Sequence, residues 1–235
     1  MGGFAGSVSA VDRGRGGGRR MMTQAVFDDA PVVLSRLYEP DVELVCVRRG
    51  HRQDLHQLAF AAIERGTRIE ARGVFPAGDR NGFAAATAAI KQQDPSLEVM
   101  LDDMFECSEL LTELLGCAAI GYRLQTLHHP MCPRFHVDRI PCRLLVTYGG
   151  PGTEWITERW LDRNVLESRE PDIYPVIDGG SHQQLPEGAI CVLKGSAWSA
   201  SVADPGAPFA GVVHRSPAAP EGRMLMSLDP LPHVD

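Results

Sequence analysis

Two histidines and an aspartate are the first residues in this chain whose types and spacing suggest chemistry. His136 and Asp138 stand two apart in the stretch PRFHVD, just before the apolar run RLLVTY. Residues two apart on a strand share a face, so the pair could grip one cation or be two unrelated surface groups. His214 follows the run FAGVV, far downstream. Two imidazoles and one carboxylate, two close in sequence and the third remote, form a facial triad that leaves about half of an octahedral shell open. Such a donor set suits Fe(II), whereas a structural zinc site is closed, four-coordinate and usually rich in thiolate. HxD alone arises often by chance, so the rest of the pattern decides. Arg223 lies a short loop after His214, at the start of the run RMLMSLD. A guanidinium turned inward there needs an anion and could hold a carboxylate in a bidentate fork. Ser227 shares the face of Arg223 on a regular strand and could add a hydroxyl donor. Tyr148 could hydrogen-bond a bound oxo acid, or it could be a structural tyrosine of the wall.

Neighbouring residues admit blander roles. Glu154 and Trp155 end the turn GPGTEW; they could shape a site entrance, and a packed tryptophan is the simpler reading. Arg215 could pair with Glu154 or meet a substrate. Arg143 begins a strand and reads as solvated. A rival metal site uses Cys132, Cys142 and His136 with His128 or His129, because thiolate and imidazole both suit Zn(II). Its spacing matches no standard zinc module, and Pro133 and Pro141 constrain it. A third reading leaves His136 and His214 as ordinary residues of a β-fold with no metal.

The elements that must position these residues divide the chain in two. In the first half, VELVCVRR reads as a strand. QDLHQLAFAAIERG reads as a helix ending at Gly66, and the alanine-rich NGFAAATAAIKQQ as a second. Asp94-Pro95-Ser96 marks a break, with Ser96 placed to cap the next helix. Leu97, Leu101, Met104, Leu111 and Leu115 recur at helical spacing up to Gly116, which predicts that third helix. From about residue 117, short β-like runs (IGYRLQTL, CRLLVTY, GAICVLKG, FAGVVHRS, GRMLMSLD) alternate with Gly/Pro-rich turns. That alternation predicts a sandwich or barrel. Residues 164 to 182 read as a longer loop over one barrel mouth. The expected organisation is a Gly/Arg-rich disordered tail over 1–24, an α/β support region over 25–116 and a metal-binding β-region over 117–235.

Charge and composition exclude several function classes. Thirty acidic against 23 basic residues give a net charge of −7, which disfavours a nucleic-acid binder. No apolar run is long enough to span a membrane, and glycine and arginine interrupt any secretory signal at the start. The six cysteines form no CxxC pair, which predicts reduced thiols in a cytoplasmic protein rather than a disulfide framework. Met1, Met21 and Met22 are each possible starts of translation. A homodimer is possible, and a substrate, small molecule or protein, is not readable.

In order along the chain, HVD, RLLVTY, GTEW, GAICVLKG, VVHRSP and GRMLMS resemble the Fe(II)/2-oxoglutarate-dependent oxygenase superfamily, over roughly residues 117–230. The resemblance implies an α+β fold: a double-stranded β-helix (jelly-roll, cupin-like) barrel with the N-terminal helices packed on one sheet. It implies His136, Asp138 and His214 as catalytic Fe(II) ligands and Arg223 as anchor of the distal carboxylate of 2-oxoglutarate, with Ser227 and Tyr148 as further cofactor contacts. The superfamily often carries Ser or Thr two residues after that arginine. Leu225 stands there in this chain, so Ser227 would substitute. The longer stretch CPRFHVDRIPCRLLVTYGGPGTEW is similar to the bacterial DUF1826 family. That similarity implies a possible link to zinc homeostasis, hence an alternative: a non-catalytic, zinc-binding cupin-like protein.

Overall fold

A computed structural model describes residues 23–50, 52–168, 174–198 and 211–232. Of the tail expected over 1–24, residues 1–22 lie outside them, and Gln24 already opens the first strand. The elements named among the described residues are β1 Gln24–Asp28, β2 Val42–Val47, α1 Gln53–Glu64, β3 Glu70–Pro76, α2 Arg80–Gln93, α3 Glu98–Leu115, β4 Ala119–Leu127, β5 Cys142–Gly149, β6 Glu154–Ile156, α4 Arg163–Ser168, β7 Gln183–Gln184, β8 Ile190–Lys194, β9 Val213–Arg215 and β10 Arg223–Leu231. No described helix is long and apolar enough to cross a membrane.

The three predicted helices form for the expected reasons. Asp79 caps α2 by accepting from the Asn81 amide, and Gly116 ends α3 at a positive φ of 63° that costs glycine little. The break before α3 is capped differently from expectation. The Asp94 carboxylate, not Ser96, accepts the Ser96 amide, because its side chain reaches that amide across the turn at Pro95.

Seven strands form one sheet in the order β1-β2-β8-β5-β10-β4-β3, and three form a smaller one, β7-β6-β9. All pairings are antiparallel except β1–β2. The large sheet takes β1 to β3 from the first half of the chain and the rest from the second, so both halves share one scaffold. Period-two alternation sorts its two faces. Leu144, Val146, Ile190, Val192, Met224, Met226 and Leu228 face α1, α2 and α3, joining Leu55, Ala59, Met100, Met104 and Phe105 in the main core. The alternate residues Leu44, Cys46, Leu145, Cys191, Leu193 and Leu225 face the small sheet and pack around Trp155.

The α+β class and the helices on one sheet are as expected. The barrel is met in part: two sheets face each other over a shared core, and no ladder between them closes a barrel among the described residues. Two segments read as turn or loop are structured. GTEW contributes β6, and the stretch after 161 contains α4 and a bridge between Leu161 and Val176. Cysteine also departs from expectation. Cys46 and Cys191 sit directly opposite each other on β2 and β8, with Cα atoms 4.2 Å apart, and form a disulfide. Register, invisible in the sequence, created that pair; the other four cysteines are free.

Candidate metal centre

His136 lies in an isolated bridge to His214 on β9, each backbone amide donating to the other's carbonyl at 3.0 Å. That single bridge unites residues 78 positions apart in the chain. On β9, His214 shares the inward face with its cross-strand partner Trp155, which is why it is buried. Asp138, two residues past His136, completes the group. One donor atom from each of the three side chains lies within 4.8 Å of the others.

The imidazoles are oriented by the backbone. His136 Nδ1 pairs with the Arg134 carbonyl at 2.9 Å, and His214 Nδ1 with the Val212 carbonyl at 3.0 Å. A carbonyl only accepts, so each Nδ1 carries the proton and each Nε2 is left toward the cluster. Those Nε2 atoms stand 3.7 Å (His136) and 3.5 Å (His214) from the Asp138 carboxylate oxygens. Burial alone would raise the Asp138 carboxyl. The polar contact with His214 and the charges of His214, Arg143 and His136 outweigh it and hold the group at about 2. Burial, then the neighbouring His214, pushes His136 below its ordinary value. Two imidazoles with their Nε2 atoms toward an ionised carboxylate are a donor set that suits a divalent cation, so the residues fit a metal.

Arg143, expected to be solvated, is instead part of this site. Its Nη1 donates to Asp138 Oδ2 at 2.8 Å, while Nε and Nη2 fork onto Asp229 at 2.7 and 2.8 Å. A signal for it was present: in CRLLVTY, 143, 145 and 147 share a face, opposite to the core-facing Leu144 and Val146. What sequence could not supply was Asp229, which the register of β10 against β5 brings opposite Arg143.

Arg223 opens β10 on the inter-sheet face and is 1% exposed. Its Nη2 donates to Thr147 Oγ1 at 3.1 Å and Thr153 Oγ1 at 2.7 Å. Nε and Nη1 are buried without a partner among the described residues. No described carboxylate pairs with this cation. Burial lowers its pKa to about 10, with only the charge of Glu154 opposing. A buried guanidinium with two free donors fits a carboxylate ligand. Ser227 is buried on the same face, as expected.

Tyr148 is not brought to the site. It points to the helix side of the sheet, where its hydroxyl donates to Asp103 Oδ2 at 2.7 Å. The regular alternation along β5 that carries Arg143, Leu145 and Thr147 inward turns Tyr148 outward with Leu144 and Val146. Asp103, which no sequence pattern singled out, also binds Arg49 and Arg52. The cysteine-based zinc set does not assemble either. Cys142 is buried on the helix side, Cys132 is exposed, and the three-ligand group among the described residues contains no cysteine. Trp155 is a packed core residue, and Arg215 pairs with Glu154 at 2.5 Å, both as read from sequence.

Residues 28–229 match the family model described as "Protein of unknown function (DUF1826)", most of the chain. The chain belongs to this family. No curated protein matches the sequence. Among solved structures, the chain is similar to the dioxygenase for auxin oxidation 1 from Arabidopsis thaliana in its 2-oxoglutarate complex. That similarity has 10% identity and a TM-score of 0.53, covering 91% of this chain and 94% of that one. The rice dioxygenase for auxin oxidation is similar at 12% identity and a TM-score of 0.53, covering 88% of this chain and 82% of that one. At such identities the likeness is one of fold.

Proposed function

We propose that this DUF1826 chain is a non-haem Fe(II)/2-oxoglutarate-dependent oxygenase on a double-stranded β-helix scaffold. His136, Asp138 and His214 would hold Fe(II), and Arg223 the distal carboxylate of 2-oxoglutarate. The metal and oxo acid together would supply oxidation of a substrate C–H bond at the expense of O₂. The chain's own residues orient and shield. The Arg134 and Val212 carbonyls fix the tautomers of the two imidazoles. Arg143 donates to Asp138 and fixes its carboxylate in place. Thr147 and Thr153 aim Arg223, and the apolar wall of Leu145, Leu193, Leu225 and Trp155 excludes water from the space between the sheets.

The single observation that carries the reading is the buried Arg223 without an anion. A metal-storage or zinc-handling protein has no need of an unpaired cation there, and a cosubstrate carboxylate supplies its missing partner. Likeness of fold to a 2-oxoglutarate-bound dioxygenase supports the same choice. The test is Fe(II)-dependent conversion of 2-oxoglutarate to succinate by the purified chain. Turnover lost in His136→Ala and Arg223→Met is expected. Tight zinc retention with neither binding nor turnover of 2-oxoglutarate would favour the zinc-homeostasis alternative.

A further inference from the structure

Beside the metal group, the large sheet extends past the small one. The site face of β10 continues onto β4 and β3, and register places its residues in rows. One row runs Arg143, Asp229, Gly121, Val74; the next runs Leu145, Ser227, Arg123, Arg72. Arg143, which grips Asp138, therefore stands at one end of a strip whose outer part is open. Val74, Arg72 and Arg123 are all exposed. Gly121 has no side chain, so the floor between Asp229 and Val74 is backbone, with the Leu231 side chain beside it.

Arg72 and Arg123 are directly opposed across β3 and β4, and neither has a side-chain partner among the described residues. Like charges placed opposite each other on antiparallel strands are destabilising. The chain has seven more acidic than basic residues, yet only Glu70 flanks the pair without a partner of its own, since Asp229 is engaged by Arg143. Arg134 and Arg139, on either side of the HxD motif, are likewise exposed and unpaired among the described residues. The approach to the metal group is thus cationic on an acidic protein.

We infer that the β4–β3 strip holds the phosphate of a phosphomonoester substrate between Arg72 and Arg123. Two guanidinium forks on facing strands, with Cβ atoms about 5 Å apart, suit a tetrahedral dianion with three terminal oxygens. A single carboxylate is satisfied by one fork. Strands about 4.8 Å apart put a phosphate between β3 and β4 roughly 12 Å from the β5 position of Arg143. The substrate would therefore be a small molecule whose reacting carbon lies on the order of 10–15 Å from its phosphate. Its role as substrate rests on the oxygenase reading; the phosphate contact does not.

The test uses the full chain and inorganic phosphate, first by calorimetry without metal. Saturable binding is expected, weakened at least tenfold in Arg72→Gln and in Arg123→Gln and unchanged in the exposed control Arg68→Gln. With Mn(II) loaded, ³¹P relaxation is expected to place the phosphorus well outside direct coordination, at about 10–15 Å. Absence of saturable binding, equal loss in Arg68→Gln, or a phosphorus bound directly to the metal would overturn the inference. Arginine-dependent phosphate binding without Mn(II) uptake would uphold the strip and count against the metal reading alone.

Discussion

At the scale of single residues, charges held away from water decide the chemistry. Arg223 is a buried cation with no carboxylate paired to it among the described residues, a cost that the proposed 2-oxoglutarate contact would offset. Arg223→Met should therefore raise the thermal stability of the ligand-free protein, by about 1–4 kcal/mol if it behaves as other buried ionic groups replaced by apolar ones. The same change should abolish 2-oxoglutarate binding in calorimetry. Loss of stability together with unchanged binding would refute the role given to this side chain. Arg143 acts through Asp138. Arg143→Met should lower metal affinity by about 10–100-fold, as loss of an outer partner of a ligand commonly does, with the fold intact by circular dichroism. Tyr148 marks the contrast. Tyr148→Phe should cost about 1–2 kcal/mol of stability through Asp103 and leave 2-oxoglutarate binding unchanged in the same titration.

Elements explain which of these residues could be found beforehand. The three helices were legible because leucine spacing, an alanine-rich run and Gly66 and Gly116 all act locally. His136, Asp138, His214 and Arg223 were legible as residue types near strand ends, and alternation predicted that Ser227 shares the face of Arg223. Arg143 and its partner Asp229 escaped because their meeting depends on register, which is set by the packing of whole strands. Tyr148 shares the helix face with Leu144 and Val146, so the alternation along β5 already set it away from the site. β6 has only three residues, too short for a period to show, so GTEW was read as a turn, whereas FAGVVHRS was read as a strand and holds β9. Register also made the Cys46–Cys191 bridge between β2 and β8. Its reduction should lower stability by about 2–4 kcal/mol, read as a drop in denaturant midpoint. The free thiols should then differ sharply toward an alkylating reagent. Cys132 is exposed and should react in the native protein. Cys142, pushed by burial to about 12, and Cys107, pushed higher still, should react only on unfolding. Zinc protection of Cys132 and Cys142 together would revive the cysteine-based site.

For the whole molecule, two faces of one seven-stranded sheet divide the labour. The helix face supplies the main core. The other face carries Arg143, Asp229 and Arg223, and the small sheet closes over it with His214 and Trp155. His136 and Asp138, two apart in the chain, meet the remote His214 where the bridge between His136 and His214 ties the PRFHVD segment to β9. The central claim is that one cation sits in that convergence and shares a 2-oxoglutarate with Arg223. Anaerobic addition of Fe(II) and 2-oxoglutarate to the purified chain measures this directly. The metal-to-oxo-acid charge-transfer absorption should appear in the wild type and vanish in His214→Ala. No such band, with Fe(II) bound elsewhere or not at all, would contradict it.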